Sequence, residues 1–201
     1  MIELAIENST GRGSLAVAKD GCVVQTASFE GSSQLALAVA AARQAVTAFD
    51  RIVIGTGPGS YTGLRVAAAT ALGLQVALGC ELAGCPSVLG FAEDTYLVIG
   101  NARRGSYFFA MVRHHRLADG PRLIPAHDLH VTLAALPSIP CFATTPIPEN
   151  VQARFSDPGA EHLLSRSPAW TASVEPLYLK GPHVMVPSVG CGVPGKSGEA
   201  T

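Results

Sequence analysis

The chain is poor in charge. Of its 201 residues only 14% are Asp, Glu, Lys or Arg, and the 14 basic and 15 acidic residues leave a formal net charge of −1. Proteins that hold nucleic acid over a broad surface need a basic field, so this balance excludes that class of binding. A local basic patch around Arg103, Arg104, Arg113 and Arg116 remains, although a solvated strand and turn explains these arginines more simply.

Long apolar runs are also missing, although hydrophobic residues make up 48% of the chain. The longest candidate, residues 66–78, contains Thr70, Gly73 and Gln75 and falls short of the roughly 18 apolar residues that suggest a membrane span. We therefore expect no membrane association and an unusually apolar surface that binds a partner. The first four residues lead directly into a strand pattern without the features of a signal peptide, so we expect a cytoplasmic protein.

Recognisable metal and catalytic motifs are lacking. The five cysteines are odd in number and form no C-x-x-C pair, which indicates reduced thiols. His127 and His130 share a helical spacing, but no H-E-x-x-H or H-x-x-x-H pair exists and nothing nearby completes a site. We expect no metal, no cofactor and no catalytic residue on this chain alone. The cysteines are Cys22, Cys80, Cys85, Cys141 and Cys191.

What the chain does have is a glycine-rich stretch between a β-branched run, residues 52–54, and a long apolar segment, residues 63–78. This pattern predicts a strand, a shaped loop and a helix, with Thr62 as the N-cap. The free amides of such a helix start favour an anion. The spacing matches neither the dinucleotide fingerprint nor the P-loop, so a purely structural turn and an anion site both remain open.

The remaining pattern predicts an α/β architecture built from two units. Three short strand-like runs, at residues 4–6, 14–18 and 22–26, open the chain. Asp20-Gly21 separates the second run from the third and is a hairpin signal, so the runs predict an antiparallel meander. An almost uncharged helix over residues 33–49, strands at 52–54 and 81–85 and a helix opened by Pro86 complete the first unit. The second unit repeats a strand, a polar turn and a strand, and then weakens. The expected strands are 95–99, 106–112, 122–124 and 139–143, the expected helices 126–136 and 148–155, and the expected units 1–93, 94–183 and a flexible tail at 184–201.

Nine consecutive residues, Gly57-Pro58-Gly59-Ser60-Tyr61-Thr62-Gly63-Leu64-Arg65, resemble the signature G-P-G-S-[FY]-T-G-L-R of the TsaB (YeaZ) family. Three further stretches are similar to family segments and extend the resemblance over roughly residues 3 to 180. They are Leu4 to Ser9 (family I-L-A-I-D-T-S), Asn101 to Tyr107 (D-A-R-x-x-x-[VI]-Y) and Glu175 to Lys180 (P-x-Y-L-R).

The resemblance implies the ASKHA fold of actin, hexokinase and Hsp70, with two ribonuclease-H-like lobes of which the second is reduced. It further implies a non-catalytic scaffold in the synthesis of N6-threonylcarbamoyladenosine, the modification beside the anticodon of tRNAs that read codons beginning with A. Such a scaffold pairs with the transferase TsaD, works with the ATPase TsaE and forms homodimers when TsaD is absent. ATP or ADP, the divalent metal and tRNA then reach the complex through the partners.

Candidate site residues follow from the same resemblance. The loop at a nucleotide-proximal position comprises Gly57, Pro58, Gly59, Ser60, Tyr61, Thr62, Gly63 and Arg65. The expected partner interface, on the two uncharged helices, comprises Leu35, Val39, Ala42, Val46, Ala67, Ala68, Ala71, Leu72 and Gln75.

Three positions depart from the family pattern: Glu7 and Asn8 replace its aspartate and threonine, and Asn101 replaces a second aspartate. These changes weaken metal or nucleotide coordination by this chain. The alternative function is an independent acyl or phosphoryl transferase, or a peptidase, that uses the glycine loop.

Overall fold

The computed structural model describes residues 1–46 and 48–179, which form two five-stranded sheets. The first sheet has the strand order β3-β2-β1-β4-β5, with β1, β2 and β3 antiparallel and β1, β4 and β5 parallel, as the meander and the following βαβ pattern predict. Its strands are β1 Ile2–Glu7, β2 Arg12–Lys19, β3 Cys22–Glu30, β4 Arg51–Gly55 and β5 Glu81–Cys85.

Helices α1 Leu35–Ala45 and α2 Tyr61–Leu78 pack on one face of this sheet. Because successive strand residues point to opposite faces, Leu4 and Ile6 join the core beneath these helices while the intervening Ala5 joins the core on the other face. The first sheet therefore separates two hydrophobic cores.

The second sheet has the order β10-β9-β6-β7-β8. It is as wide as the first, but its helix α3 Leu129–Ala134 is only six residues long, so this part of the chain is reduced in helix rather than in strand. Its strands are β6 Tyr96–Asn101, β7 Ser106–Arg113, β8 Arg116–Pro125, β9 Cys141–Ala143 and β10 Arg154–Phe155.

The two sheets share a buried core in which α4 Ala160–Leu164 packs against the first sheet. Tyr96 is fully buried there and donates a hydrogen bond from its hydroxyl group to the backbone oxygen of Val88, 2.9 Å away. The rings of Phe91 and Phe142 stack with their centroids 4.6 Å apart. This shared core holds the carboxyl ends of β1 and β4, and hence the glycine loop, in place.

Several sequence-based assignments were wrong. The helix expected after Pro86 is a single 3-10 turn, Ser87–Leu89, and the helix expected over residues 148–155 is replaced by the short strand β10. Helix α4 was missed, because five residues carry too little periodicity to be recognised. The tail expected at 184–201 lies outside the described residues. Among the helices that the structure describes, none is both long and apolar enough to cross a membrane.

Candidate functional site: the glycine loop and helix α2

The glycine loop connects the end of β4 to the start of α2 and contains a cis peptide bond between Gly57 and Pro58. The N-cap of α2 is Ser60, whose backbone is extended and whose Oγ accepts a hydrogen bond from the Gly63 amide at 3.2 Å. Thr62 lies inside the first turn and is exposed, so its assignment as the cap was wrong. The helix begins two residues earlier than the glycine pattern predicts, which moves the cap to the preceding hydroxyl side chain.

Three amides of the glycine loop and the start of α2 bind acceptors within the protein. The Gly57 amide donates to Oγ of Ser87 at 2.9 Å, and the Ser60 amide donates to the backbone oxygen of Ser9 at 2.7 Å. With the Gly63 amide bound to Ser60, three amides are already satisfied. An amide that is satisfied internally contributes little to binding a phosphate, so the geometry favours a structural role for the loop.

The glycines of the loop are explained by close packing against the β1–β2 turn. A Cβ atom on Gly59 would collide with the backbone of Ser9, and one on Gly63 would collide with the backbone oxygen of Asn8. The Asn8 side chain also donates a hydrogen bond to the backbone oxygen of Gly63 at 3.0 Å. The loop and the turn therefore form one closely packed unit at the carboxyl ends of β1 and β4.

Glu7, the last residue of β1, is turned into this unit rather than toward solvent. Its Oε1 accepts a hydrogen bond from the Ser9 amide at 2.7 Å, and its side chain is 1% exposed. Burial raises the pKa of the Glu7 carboxyl, an effect that hydrogen bonds to Ser9 and Ser87 oppose only partly. Oε2 is buried without a hydrogen-bond partner among the described residues.

The second sheet repeats this arrangement. Asn101, the last residue of β6, accepts a hydrogen bond on its side-chain oxygen from the Arg103 amide at 2.6 Å. In both sheets, the polar side chain at the end of the central strand thus accepts a hydrogen bond from the amide two residues further on. This bond stabilises the turn that follows the strand. These are the two positions at which the family signature has aspartate, and here both side chains are engaged in local structure.

The partner interface expected on α1 and α2 needs correction. Six of its residues have side chains that are no more than 8% exposed and pack in the core between the helices and the first sheet. A side chain buried in its own chain cannot also form an exposed pairing surface. Val46 and Gln75 are half-buried, and Leu72 is exposed. The six buried residues are Leu35, Val39, Ala42, Ala67, Ala68 and Ala71.

The exposed surface of α2 lies on its other side and is largely uncharged. Val76 is 87% exposed and Leu72 is 45% exposed, and both follow Tyr61 and Arg65 at helical spacing. Leu37 adds a 73% exposed leucine on α1. Sequence reasoning missed Val76 because both helices are apolar on nearly every side, so periodicity does not distinguish the inner face from the outer one. We call Tyr61, Arg65, Ala69, Leu72, Gly73 and Val76 the outer face of α2.

Residues 171–179 lie along the edge of the first sheet and extend to the start of α2. Thr171 pairs with Gly84 of β5, and the Leu177 amide donates to the backbone oxygen of Thr56 at 2.8 Å. The Tyr178 ring then packs on that of Tyr61 with centroids 5.0 Å apart, while the Arg65 guanidinium lies 4.5 Å from the Tyr61 centroid. This segment, which we call the strap, contacts the loop at Thr56 and the start of α2 at Tyr61.

Within residues 1–46 and 48–179, no group of three His, Cys, Asp or Glu side chains is arranged to hold a metal ion. His127 and His130 are both exposed at the start of α3. His127 lies next to Asp128, with Nε2 and Oδ2 3.5 Å apart.

Comparison with known proteins gives three kinds of similarity. Residues 28–108 match the family model described as "TsaD: tRNA N6-adenosine threonylcarbamoyltransferase". An uncharacterized protein of Mycobacterium leprae is 31% identical over 156 residues, or 73% of this chain, which spans only 42% of that relative's length. An uncharacterized protein of Mycobacterium tuberculosis H37Rv is 34% identical over 158 residues, which are 72% of this chain and 71% of the relative.

Two solved structures share the fold. YeaZ from Pseudomonas aeruginosa is 21% identical and superposes with a TM-score of 0.70 over 89% of this chain and 99% of the other. A second Pseudomonas aeruginosa structure, described as an uncharacterized protein with similarity to peptidase YEAZ, gives the same TM-score at 20% identity and the same coverage. The chain therefore has the fold of these proteins over most of its length.

Proposed function

Because this chain belongs to the TsaB (YeaZ) family and has the two-lobed α/β ASKHA fold, we propose that it is a non-catalytic subunit in the synthesis of N6-threonylcarbamoyladenosine in tRNA. In this proposal it pairs with a TsaD transferase and is required for that enzyme's activity. TsaE joins the complex, and the reactants, ATP or ADP, the divalent metal and tRNA are held by the partners. The complex is cytoplasmic.

The observation that carries the proposal is the outer face of α2. This 18-residue helix exposes Leu72 and Val76 to solvent and has Arg65 as its only charged side chain. Burial of apolar surface contributes about 25 cal/mol per Å², so an exposed helix face with these residues favours association. Gly73 and Ala69 on the same face permit close approach of a partner helix.

Leu37 on the neighbouring helix α1 supports the same surface. Two helices on one face of a sheet present parallel ridges, onto which two helices of a partner pack to give a four-helix interface. The TsaB and TsaD relatives are related folds, so TsaD is the proposed occupant. A second copy of this chain is the proposed occupant when TsaD is absent.

Reconstitution of tRNA threonylcarbamoylation tests the proposal directly. TsaD, TsaE, threonylcarbamoyl-AMP and tRNA are combined with the wild-type chain, with Val76→Glu, with Val131→Glu or with no addition. Val131 is the matched control because it is a 69% exposed valine on α3, which packs against the second sheet rather than the first. We expect modification with the wild-type chain and with Val131→Glu, and loss of modification with Val76→Glu and without the chain.

Modification that proceeds equally well without the chain would reject the proposal. If modification requires the chain but proceeds normally with Val76→Glu, the chain is still a required subunit, but the outer face of α2 is not the pairing surface. The alternative of an independent transferase or peptidase is less favoured, since the amides of Gly57, Ser60 and Gly63 bind Ser87, Ser9 and Ser60.

A further inference from the structure

An open groove of about 600 Å³ lies on the face of the first sheet opposite α1 and α2. Helix α4 is the only helix described on this face, and with five residues it covers β1, β2 and β4 more fully than β3. The floor of the groove is consequently the uncovered face of β2 and β3. Arg12, Ser14, Thr26 and Ser28 form this floor, and Phe155 to Gly159 with Glu161 form the wall.

The groove adjoins β3, which is an edge strand and, among the described residues, pairs only with β2. The register of β3 shifts near Val24, between the pairs Val17–Gln25 and Ala18–Val23, but from Gln25 to Glu30 the pairing is regular. Residues 25–29 contain no charge and no proline. An edge with these properties leaves backbone N–H and C=O groups in position to pair with another strand.

Of the three other edges of the described sheets, the β10 edge is only two residues long, and the β5 and β8 edges are protected. The β5 edge is paired at Gly84 with Thr171 of the strap. The β8 edge contains Pro121 after a cis peptide bond and an ion pair between Arg122 and Asp119 at 3.2 Å. Proline and charge are the usual means of preventing strand addition, so their absence from residues 25–29 of β3 distinguishes this edge.

The groove next to this edge is acidic. Asp157 and Glu161 line it, and Glu30 ends the strand, against a single arginine, Arg12. The Arg12 guanidinium donates a hydrogen bond to Oγ of Ser28 at 3.2 Å, and Oε1 of Glu161 lies 3.6 Å from Nε2 of His162, while Asp157 has no ion pair within the described part of the chain. The net charge of these groups favours a basic side chain in the groove.

We propose that an extended peptide segment of a partner protein adds as a strand alongside residues 25–29 of β3 and places a Lys or Arg side chain against Asp157 and Glu161. Backbone pairing supplies affinity, and the groove selects the side chain that points into it. Alternate residues of an added strand face the same side. The peptide residue two positions after the Lys or Arg therefore also faces the groove, next to Phe155 or Thr26. This surface is on the opposite face of the sheet from the outer face of α2, so both can be occupied together.

The test uses the full chain and a fluorescein-labelled probe peptide, Thr-Val-Thr-Lys-Thr-Val-Thr, measured by fluorescence anisotropy. Control peptides replace Lys with Glu, or carry N-methyl groups on alternate amides of the edge that would face β3. The protein variants are Asp157→Asn, Glu161→Gln and Thr26→Lys, with Glu149→Gln as the matched control because Glu149 is exposed and remote from the groove.

We expect the probe to bind, and the N-methylated and Glu peptides not to bind. Each removal of a groove carboxylate should weaken binding by up to about fivefold, in line with a partly exposed ion pair. Thr26→Lys should weaken it further, and Glu149→Gln should have no effect. Hydrogen exchange with the probe bound should slow at residues 25–29 and remain unchanged on α2.

Three results would overturn the proposal. Equal binding of the N-methylated peptide would show that no strand is added, and equal binding by the carboxylate variants would show that the occupant is not selected by charge. Dimerisation of the chain alone that Thr26→Lys abolishes would identify a second copy as the occupant instead of a basic peptide. Thr26 is exposed, so this variant is expected to fold, and thermal unfolding of each variant verifies it.

Discussion

Gly55 and Glu7 lie side by side at the ends of neighbouring parallel strands, and the Glu7 carboxylate occupies the space that a side chain on Gly55 would need. A Cβ atom on Gly55 would collide with Oε2 of Glu7 and approach Oγ of Ser87 to 2.7 Å. The glycine that ends β4 is therefore required by a buried carboxyl on β1 rather than by its own backbone conformation.

Gly55→Ala is expected to destabilise the protein by about 3 kcal/mol, because the collision lies in a buried unit that cannot relax into solvent. The matched control is Gly73→Ala in the exposed middle of α2, where nothing lies within 4 Å of the added Cβ. That change should stabilise the helix by about 0.5–1 kcal/mol. Urea unfolding followed by circular dichroism measures both, and equal stability of the two variants would contradict the packing described for Gly55.

Glu7→Gln is expected to change the pH dependence of stability. Burial raises the folded-state pKa of Glu7 above its unfolded value, so between these two pKa values the folded chain holds a proton that the unfolded chain has lost. The contribution of Glu7 to stability therefore falls as pH rises above about 4.5 and becomes constant above the folded-state pKa. Glutamine has no such titration.

The measurement for Glu7 is the difference in free energy of unfolding between wild type and Glu7→Gln, taken at intervals from pH 4 to pH 8. We expect the wild type to lose stability relative to the variant as pH rises. His162, whose pKa is lowered by burial, is present in both proteins and cancels from the difference. A difference that stays constant with pH, or that changes in the opposite direction, would contradict a raised pKa for Glu7.

The sequence predicted those parts of the fold that depend on local patterns. The strand-like run Leu4-Ala5-Ile6 predicted β1, and Asp20-Gly21 predicted the turn between β2 and β3, where both residues have positive φ. The glycine-rich stretch placed the junction of β4 and α2 to within two residues. In each case the interactions that fix the structure lie within a few residues, so the pattern contains the information.

The site depended on contacts distant in sequence and was predicted less well. Glu7 is held by groups on two segments, one of which, Ser87, is 80 positions away in a turn that the sequence suggested was a helix. The outer face of α2 is defined by which residues the first sheet covers, and an apolar helix gives no indication of that. Thr62 and Ser60 both carry a hydroxyl group that can cap a helix, and the hydrogen bond from the Ser60 amide to the backbone oxygen of Ser9 depends on a contact distant in sequence.

The stacking of Tyr178 on Tyr61 should contribute measurably to holding the strap against the glycine loop. The two rings are partly exposed, so we expect a coupling energy of about 0.5–1 kcal/mol, at the lower end for aromatic pairs. A double-mutant cycle with Tyr61→Leu and Tyr178→Leu, read by urea unfolding, gives this value. Additive effects of the two substitutions would show that the strap is held by its backbone contacts at Thr56 and Gly84 alone.

Ala68 and Val76, eight residues apart on α2, should lose very different amounts of stability on replacement by glutamate. Ala68 is 8% exposed and packs in the core, so Ala68→Glu buries an unpaired carboxylate and should cost about 3 kcal/mol or more of stability. Val76 is 87% exposed, so Val76→Glu should change stability by no more than about 1 kcal/mol, including the unfavourable charge near the helix C-terminus.

Thermal unfolding by circular dichroism distinguishes the two variants, and gel filtration with TsaD then shows which one affects pairing while folded. If the proposed pairing surface is correct, Val76→Glu loses TsaD while its melting temperature stays close to that of wild type. Loss of binding by Ala68→Glu would accompany loss of structure and would say nothing about the interface. The opposite pattern would contradict the proposed surface. If Ala68→Glu is folded but does not bind TsaD, and Val76→Glu binds TsaD normally, the partner contacts the side of α2 that packs against the sheet in this structure.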